Sequence, residues 1–212
     1  SRVLAAEPAP QGLMIEFSVE ATRSAANDLA RATAFAEATD PDPGQLAKRV
    51  NAAIAQGLQI ARAKPAVKTR SGTTLTHPNY AKGGTRIESW RMRSELLLES
   101  RDATALSELI GQLQPALGVT QISLLPAPET RRKAEDEAAL AAIDAFRARA
   151  RLIAESFGQA YRIKRLSISG NGRPPTPVLR AAMAAEAMPP PLEPGDSSIT
   201  ATVSGQIELD HR

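Results

Sequence analysis

From Leu13 to Thr22 the chain alternates: Leu13, Ile15, Phe17, Val19 and Ala21 interleave with Met14, Glu16, Ser18, Glu20 and Thr22. A period of two places each set on one face, which predicts a half-buried strand. The same pattern returns near the end, where Ile199, Ala201, Val203, Gly205, Ile207 and Leu209 interleave with Thr200, Thr202, Ser204, Gln206 and Glu208. Ile87 to Glu99 reads as a strand with Trp90, Met92, Leu96 and Leu98 on one face. Val119 to Leu125 reads as another, and Val67 to Leu75 alternates weakly, as an edge strand does. Tyr161 and Ile163 are out of phase with Leu166 and Ile168 by one residue, which a β-bulge near Lys164-Arg165 reconciles. Residues 23–27 read as a turn and His77 to Gly84 as a loop. The alanines between Asp28 and Ala38 fit either a helix capped at Asn27 or Asp28, or a strand, with propensity on the helical side.

Three segments carry helical signals. Asp42-Pro43-Gly44-Gln45 combines a capping residue, a proline at the first helical position and a glutamine three residues after the cap. Leu46, Val50, Ile54, Leu58 and Ala61 then mark one face, and Pro65 stops the run. Asp102 opens a shorter helix carrying Leu106, Leu109, Ile110, Leu113 and Leu117, with Gly118 expected to close it in a left-handed conformation. The longest runs from about Glu129 to Phe157 and ends at Gly158. Ala139, Ile143, Phe146, Ala150, Ile153 and Phe157 form one stripe suited to a core. Ala134, Ala138, Ala141, Ala145, Ala148 and Leu152 form a second, nearly opposite. Exposed alanines need no partner, since alanine is the best helix former. Small side chains also let another helix or subunit approach closely, so the second stripe is a candidate self-association face.

Strands and helices interleave, and most strands have one wet face. The pattern predicts an α+β fold of antiparallel sheets with helices on one side. Composition narrows the rest. The chain has 212 residues, ample for a core without metal or disulfide staples. Only 3% are aromatic, so the core is built from Leu, Ile, Val and Ala. A net charge of +3, with no aromatics interleaved in the Arg131-Arg132-Lys133 cluster, argues against nucleic acid as a partner. The chain has no cysteine, which removes disulfides, thiolate metal sites and thiol catalysis. No apolar run approaches the roughly 20 residues of a membrane span. Residues 171–196 hold seven prolines, and with Leu179, Met183 and Met188 they suit either a loop or an arm docking on a neighbour.

Catalytic signals are weak. His77 and His211 lack neighbours at metal-ligand spacing, so no metal ligand is assigned. No G-x-S-x-G elbow is present, and Ser167-Ile168-Ser169-Gly170-Asn171-Gly172 lacks the lysine and helix of a phosphate loop. It reads as a strand running into a turn. Arg131, Arg132 and Lys133 each stand four before an acidic residue, a solvated ion-pair pattern. No catalytic or cofactor-binding residue is assigned.

The order of elements resembles the SIMPL-domain family of bacterial envelope proteins. The resemblance rests on several places. The opening strand precedes Asp28 and an alternating segment, and Asp42-Pro43 enters a helix with Val50-Asn51. Pro78-Asn79-Tyr80 leads through a glycine-bearing loop to Trp90 and Leu98-Glu99-Ser100-Arg101-Asp102. The long helix carries Ala142-Ile143, Ala150 and Gly158, and Glu193-Pro194-Gly195 precedes the last strand. The resemblance implies that Asp28 to Ala38 is a strand, paired with the first as a hairpin. It implies two lobes of antiparallel sheet, one inserted in the other: residues 12–41 with 127–210, and an α-β-β-α-β lobe at 42–126. It also implies a periplasmic or exported protein, in keeping with the missing initiator Met, and members linked to oxidative stress or forming large oligomers. It brings no family enzyme activity, cofactor or catalytic residue. The resulting expectation is a non-enzymatic, self-assembling scaffold, with Ala134, Ala138, Ala141, Ala145 and Ala148 as the association face. The alternative is a small-molecule or peptide-binding module using a cleft between lobes or the Val67–Leu75 edge.

Overall fold

The computed structural model describes residues 12–170 and 194–210, so the Pro-rich run up to residue 193 and His211 lie outside the described residues. The elements are β1 (Leu13–Ala26), β2 (Leu29–Asp40), α1 (Pro43–Arg62), β3 (Lys68–Tyr80), β4 (Ile87–Ser100), α2 (Ala103–Leu113), β5 (Gly118–Leu125), α3 (Pro128–Ser156), β6 (Tyr161–Gly170) and β7 (Asp196–Leu209). They form two antiparallel sheets with helices, the expected α+β class. Contacts divide the chain into two compact units, with β1 up to Ala25, α3, β6 and β7 in one and residues 26–127 with Asp196 in the other.

The second unit runs β-α-β-β-α-β, with sheet order β3-β4-β2-β5. Two split β-α-β repeats sharing one antiparallel sheet make the ferredoxin-like arrangement. The alternating alanines of β2 explain its sheet role. Ala30, Ala32, Ala34 and Ala36 are at most 6% exposed and lie beneath α1 and α2. Leu46, Val50, Leu106, Leu109, Ile110 and Leu113 come down from the helices to meet them. Both helices start as the sequence predicts. The Asp42 carboxylate accepts from the Gly44 and Gln45 N–H groups at 2.6 and 3.1 Å, and Asp102 accepts from Ala105 at 2.9 Å. These bonds satisfy donors that a helix start leaves free.

In the first unit β7 lies between β1 and β6. The hydroxyls of Ser18 and Ser204, and of Thr22 and Thr200, pair across β1 and β7 on the polar face. On the other face Ala201, Val203, Ile207 and Leu209 are buried beneath α3. Phe146 stacks on Phe17 with ring centroids 4.3 Å apart, and Gly205 leaves room for that ring. The predicted bulge in β6 is present, with a register shift between Ile163 and Arg165. Gly158 has a φ of 64° and closes α3 as predicted, with Gln159 N–H donating to the Ala154 carbonyl at 3.0 Å.

Several expectations are corrected. Asp28 to Ala38 is a strand, but it forms no hairpin with β1. It pairs with β4 and β5, and β1 pairs with β7. Only Asn27 and Asp28 separate the two strands. Asn27 N–H donates to the Gly195 carbonyl at 2.9 Å. β2 therefore belongs to the inserted unit, whose boundary falls at Ala26 and not at residue 42. Residues 23–26 continue β1, where Ala25 is buried with Ala134 and Ile199. His77 to Tyr80 continue β3, because β4 supplies partners as far as Ile87. Gly118 does not cap α2. It starts β5, and an added Cβ there would stand 2.4 Å from Cζ of Phe35.

β5 departs from regular pairing with β2 between Arg31 and Thr33, and Gln121 adopts a φ of 53° there. A left-handed residue with a side chain costs about 1–2 kcal/mol. Gln121→Gly is therefore expected to be neutral or stabilising by up to about 1 kcal/mol, the gain offset in part by a freer unfolded chain. Urea denaturation checks this; a loss above about 1 kcal/mol would show that the Gln121 side chain contributes more than its backbone costs.

Candidate interaction surfaces

The fully buried positions of α3 are Ala134, Ala138, Ala142, Phe146, Ala150 and Ala154, each four residues after the last. A four-residue step turns about 40° past a full helical turn, so this row moves about 200° around the helix from Ala134 to Ala154. The buried side of α3 thus winds around the helix over a twisted sheet, so a straight stripe cannot stay buried or exposed throughout. The alanine stripe starts in the core at Ala134 (4% exposed) and Ala138 (0%). It passes through half-buried Ala141 and Ala145 and emerges at Ala148 and Leu152. Ala134 and Ala138 are consequently unavailable to a partner. The opposite stripe is half-buried at Ala139 and Ile143, fully buried at Phe146 and Ala150, and leaves Phe157 54% exposed. Neither stripe is purely a core or purely a surface.

Other large apolar side chains of this unit stay open to solvent. Leu140 and Leu152 on α3 are 64% and 67% exposed. Ile163, Leu166 and Ile168 of β6 pair with Ile207, Gly205 and Val203, so they share the sheet face that α3 covers. They remain 40–50% exposed because β6 is the outer strand.

The second unit presents a charged sheet face opposite its helices. Arg31 donates to Glu99 at 2.8 Å, Arg91 to Glu37 at 2.6 Å, and Arg93 to Glu95 at 3.0 Å while its guanidinium lies 3.7 Å from the Phe35 ring centroid. His77 stands opposite Arg91 on the same face, in a strand and not in a loop. The Arg91 hydrogen bond, aided by the positive charge of Arg91, Arg93 and His77 and opposed by partial desolvation, holds the Glu37 carboxyl below its ordinary 4.5. A carboxyl lowered by folding stabilises the native state fully above its unfolded value, and that contribution fades as pH falls through the folded value. Glu37→Gln is expected to lower the thermal midpoint slightly at neutral pH and to close the gap with the parent below about pH 4.5. A gap that persists undiminished in acid would contradict the electrostatic account.

Around the start of β2 the second unit has a recess of about 410 Å³ lined by Asn27, Asp28, Arg101, Leu124, Gly195 and Asp196. The Asp28 carboxylate accepts from the buried Ala127 N–H at 2.7 Å and from Arg101 at 3.2 Å. One side chain thus fixes the ends of β4 and β5. In the sequence Asp28 stands as a candidate helix cap and Arg101 as part of the Leu98–Asp102 run, and neither role signals these partners. Buried polar residues among those described are Asn27, Thr33, Ser94, Ser100, Ser107 and Ser197, all neutral. No grouping of three or more His, Asp or Glu suited to a metal occurs among the described residues. No helix among them is long and apolar enough to cross a membrane.

The geometry defines a two-unit α+β protein with exposed apolar side chains on both units, Leu75, Tyr80 and Ile87 among them on the second, and a charged sheet face on the second. The chain belongs to the SIMPL family, described as a protein of unknown function (DUF541), whose profile matches residues 15–207. No curated protein matches it. Among solved structures it is similar to an amidase of the hydantoinase/carbamoylase family from Burkholderia multivorans, at 12% identity and a TM-score of 0.25, covering 50% of this chain and 28% of that one. It is likewise similar to a putative amidohydrolase/peptidase from Burkholderia cenocepacia, at 15% identity and a TM-score of 0.26, covering 57% and 33%. The chain spans about a third or less of those proteins, and overlaps this slight carry no argument about activity.

Proposed function

We propose that this SIMPL-family chain is a non-enzymatic, exported envelope protein that self-associates as a scaffold linked to stress tolerance. The observation that carries the assembly reading is the apolar surface of the first unit, with Leu140 and Leu152 two-thirds exposed on α3 and Ile163, Leu166 and Ile168 open on the outer strand. Apolar side chains left open in this number are a feature of surfaces that meet partners. The association face named from sequence contracts to its outer part. Ala148 and Leu152, flanked by half-buried Ala141 and Ala145, remain able to contact a second copy. Export and the stress role rest on the family resemblance.

The double variant Ala148→Glu/Leu152→Glu tests the surface, since both positions are exposed and no core contact is lost there. A fall in mass by in-line light scattering, at unchanged helicity, supports α3 as an interface. Unchanged mass removes α3 from it. Detection of the native protein only in the cytoplasm of its own cells would end the envelope reading.

A further inference from the structure

β2 is paired along its whole length with β4, from Ala30–Ser100 to Asp40–Trp90. On its other side β5 pairs only as far as Phe35–Gly118. From Ala36 to Asp40 no strand among the described residues takes over where β5 stops, so among those residues the backbone of an inner strand has no strand partner on that side. Alternate N–H and C=O groups along such an edge are strong hydrogen-bonding groups that favour another extended backbone.

A groove of about 380 Å³ lies along this same stretch. Consecutive residues Phe35, Ala36, Glu37 and Ala38 all line it, so it follows the strand's edge and not one of its faces. Val50, Ala53, Ala116 and Gly118 line it as well, so most of its lining side chains are small. Phe35 forms a wall, held in place by Arg93 on its face and by the missing Cβ of Gly118. Arg49 stands at the rim and is bonded to Asp40 through one terminal nitrogen. Its guanidinium carries further donors for a second carboxylate.

We propose that this groove binds an extended peptide, which adds a strand to residues 36–40 in line with β5, seats a small aliphatic side chain among the alanines and places a carboxylate on Arg49. Backbone pairing supplies the attraction and the alanine-lined recess supplies selectivity, as in other cases of strand addition. The β3 edge suggested by sequence is less suited, because it is broken by irregularities between Ser71 and Thr74 and again at Asn79–Tyr80. The proposal does not depend on the self-association reading.

The test uses the full chain and a random library of hexapeptides with free carboxyl ends. Amide exchange of the free protein is measured first: outward amides within 36–40 are expected to exchange fast. Slow exchange there would mean that the chain itself, or a second copy, already caps the edge, and overturns the proposal. Enriched peptides are expected to slow those amides, and to bind at least about tenfold more weakly when their backbone is N-methylated, since a lost set of hydrogen bonds is worth at least that factor. Ala53→Leu and, independently, Ala116→Leu fill the recess and are expected to weaken binding to a similar degree, with far-ultraviolet circular dichroism confirming that each folds. Arg49→Gln is expected to remove the preference for a carboxylate. Failure to enrich any peptide, protection at β3 instead, or binding unchanged in whichever filled variant folds would overturn the proposal.

Discussion

Phe146→Ala is expected to destabilise the unit built from β1, α3, β6 and β7 by about 3–5 kcal/mol, the range for a fully buried aromatic. Phe146 is wholly buried, and the α3 residues around it are alanines at 138, 142, 150 and 154. The neighbouring α3 alanines are too short to reach into the space the ring leaves, so a cavity remains. The ring also loses its stack on Phe17. The reverse error is predicted at Gly205, where a Cβ would sit 2.6 Å from the Arg165 carbonyl oxygen and 2.7 Å from Cζ of Phe146. The first neighbour is backbone, so β6 must shift, and Gly205→Ala is expected to cost about 1–3 kcal/mol. Adding it to Phe146→Ala should cost less than its effect alone, since one of the two clashes is gone. Urea denaturation followed by circular dichroism is the measurement, because the only tryptophan, Trp90, reports on the other unit. A loss below about 1 kcal/mol for Phe146→Ala would mean that this ring does not hold α3 to its sheet.

The second large effect is expected at Asp28. Asp28→Ala leaves the buried Ala127 N–H without its acceptor and Arg101 without this carboxylate. An orphaned buried donor costs about 1–3 kcal/mol. Asp28→Asn keeps an oxygen for Ala127 and loses only the charge, so it is expected to cost clearly less. Equal losses for the two variants would show that the charge toward Arg101 dominates; no loss from either would show that the ends of β4 and β5 do not depend on Asp28.

Elements with one wet face were legible from their period. β1 and β7 alternate because one face meets α3 and the other carries paired hydroxyls. The caps of α1 and α2 were legible because a capping carboxylate acts on its own next few residues. β2 was not, because alanine favours helices in isolation and only the partners β4 and β5 make this segment a strand. The faces of α3 misled because a straight stripe assumes a flat partner, whereas its buried row winds with the sheet. The glycines at 118 and 205 were opaque for another reason. Neither has the positive φ that a turn would advertise, and each is set by an aromatic ring distant in sequence. The Asp28 contacts and the open edge of β2 likewise depend on where other strands end.

The protein's buried polar residues are neutral among those described; exposed apolar side chains occur on both units, and the second also offers a charged sheet face and a backbone edge. The proposed scaffold role stands or falls on self-association. In-line light scattering of the full 22.5 kDa chain during gel filtration, at high micromolar concentration, is the direct measurement. The account predicts a mass that is a defined multiple of the chain and that falls on Ala148→Glu/Leu152→Glu. A clean monomer at that concentration would contradict it.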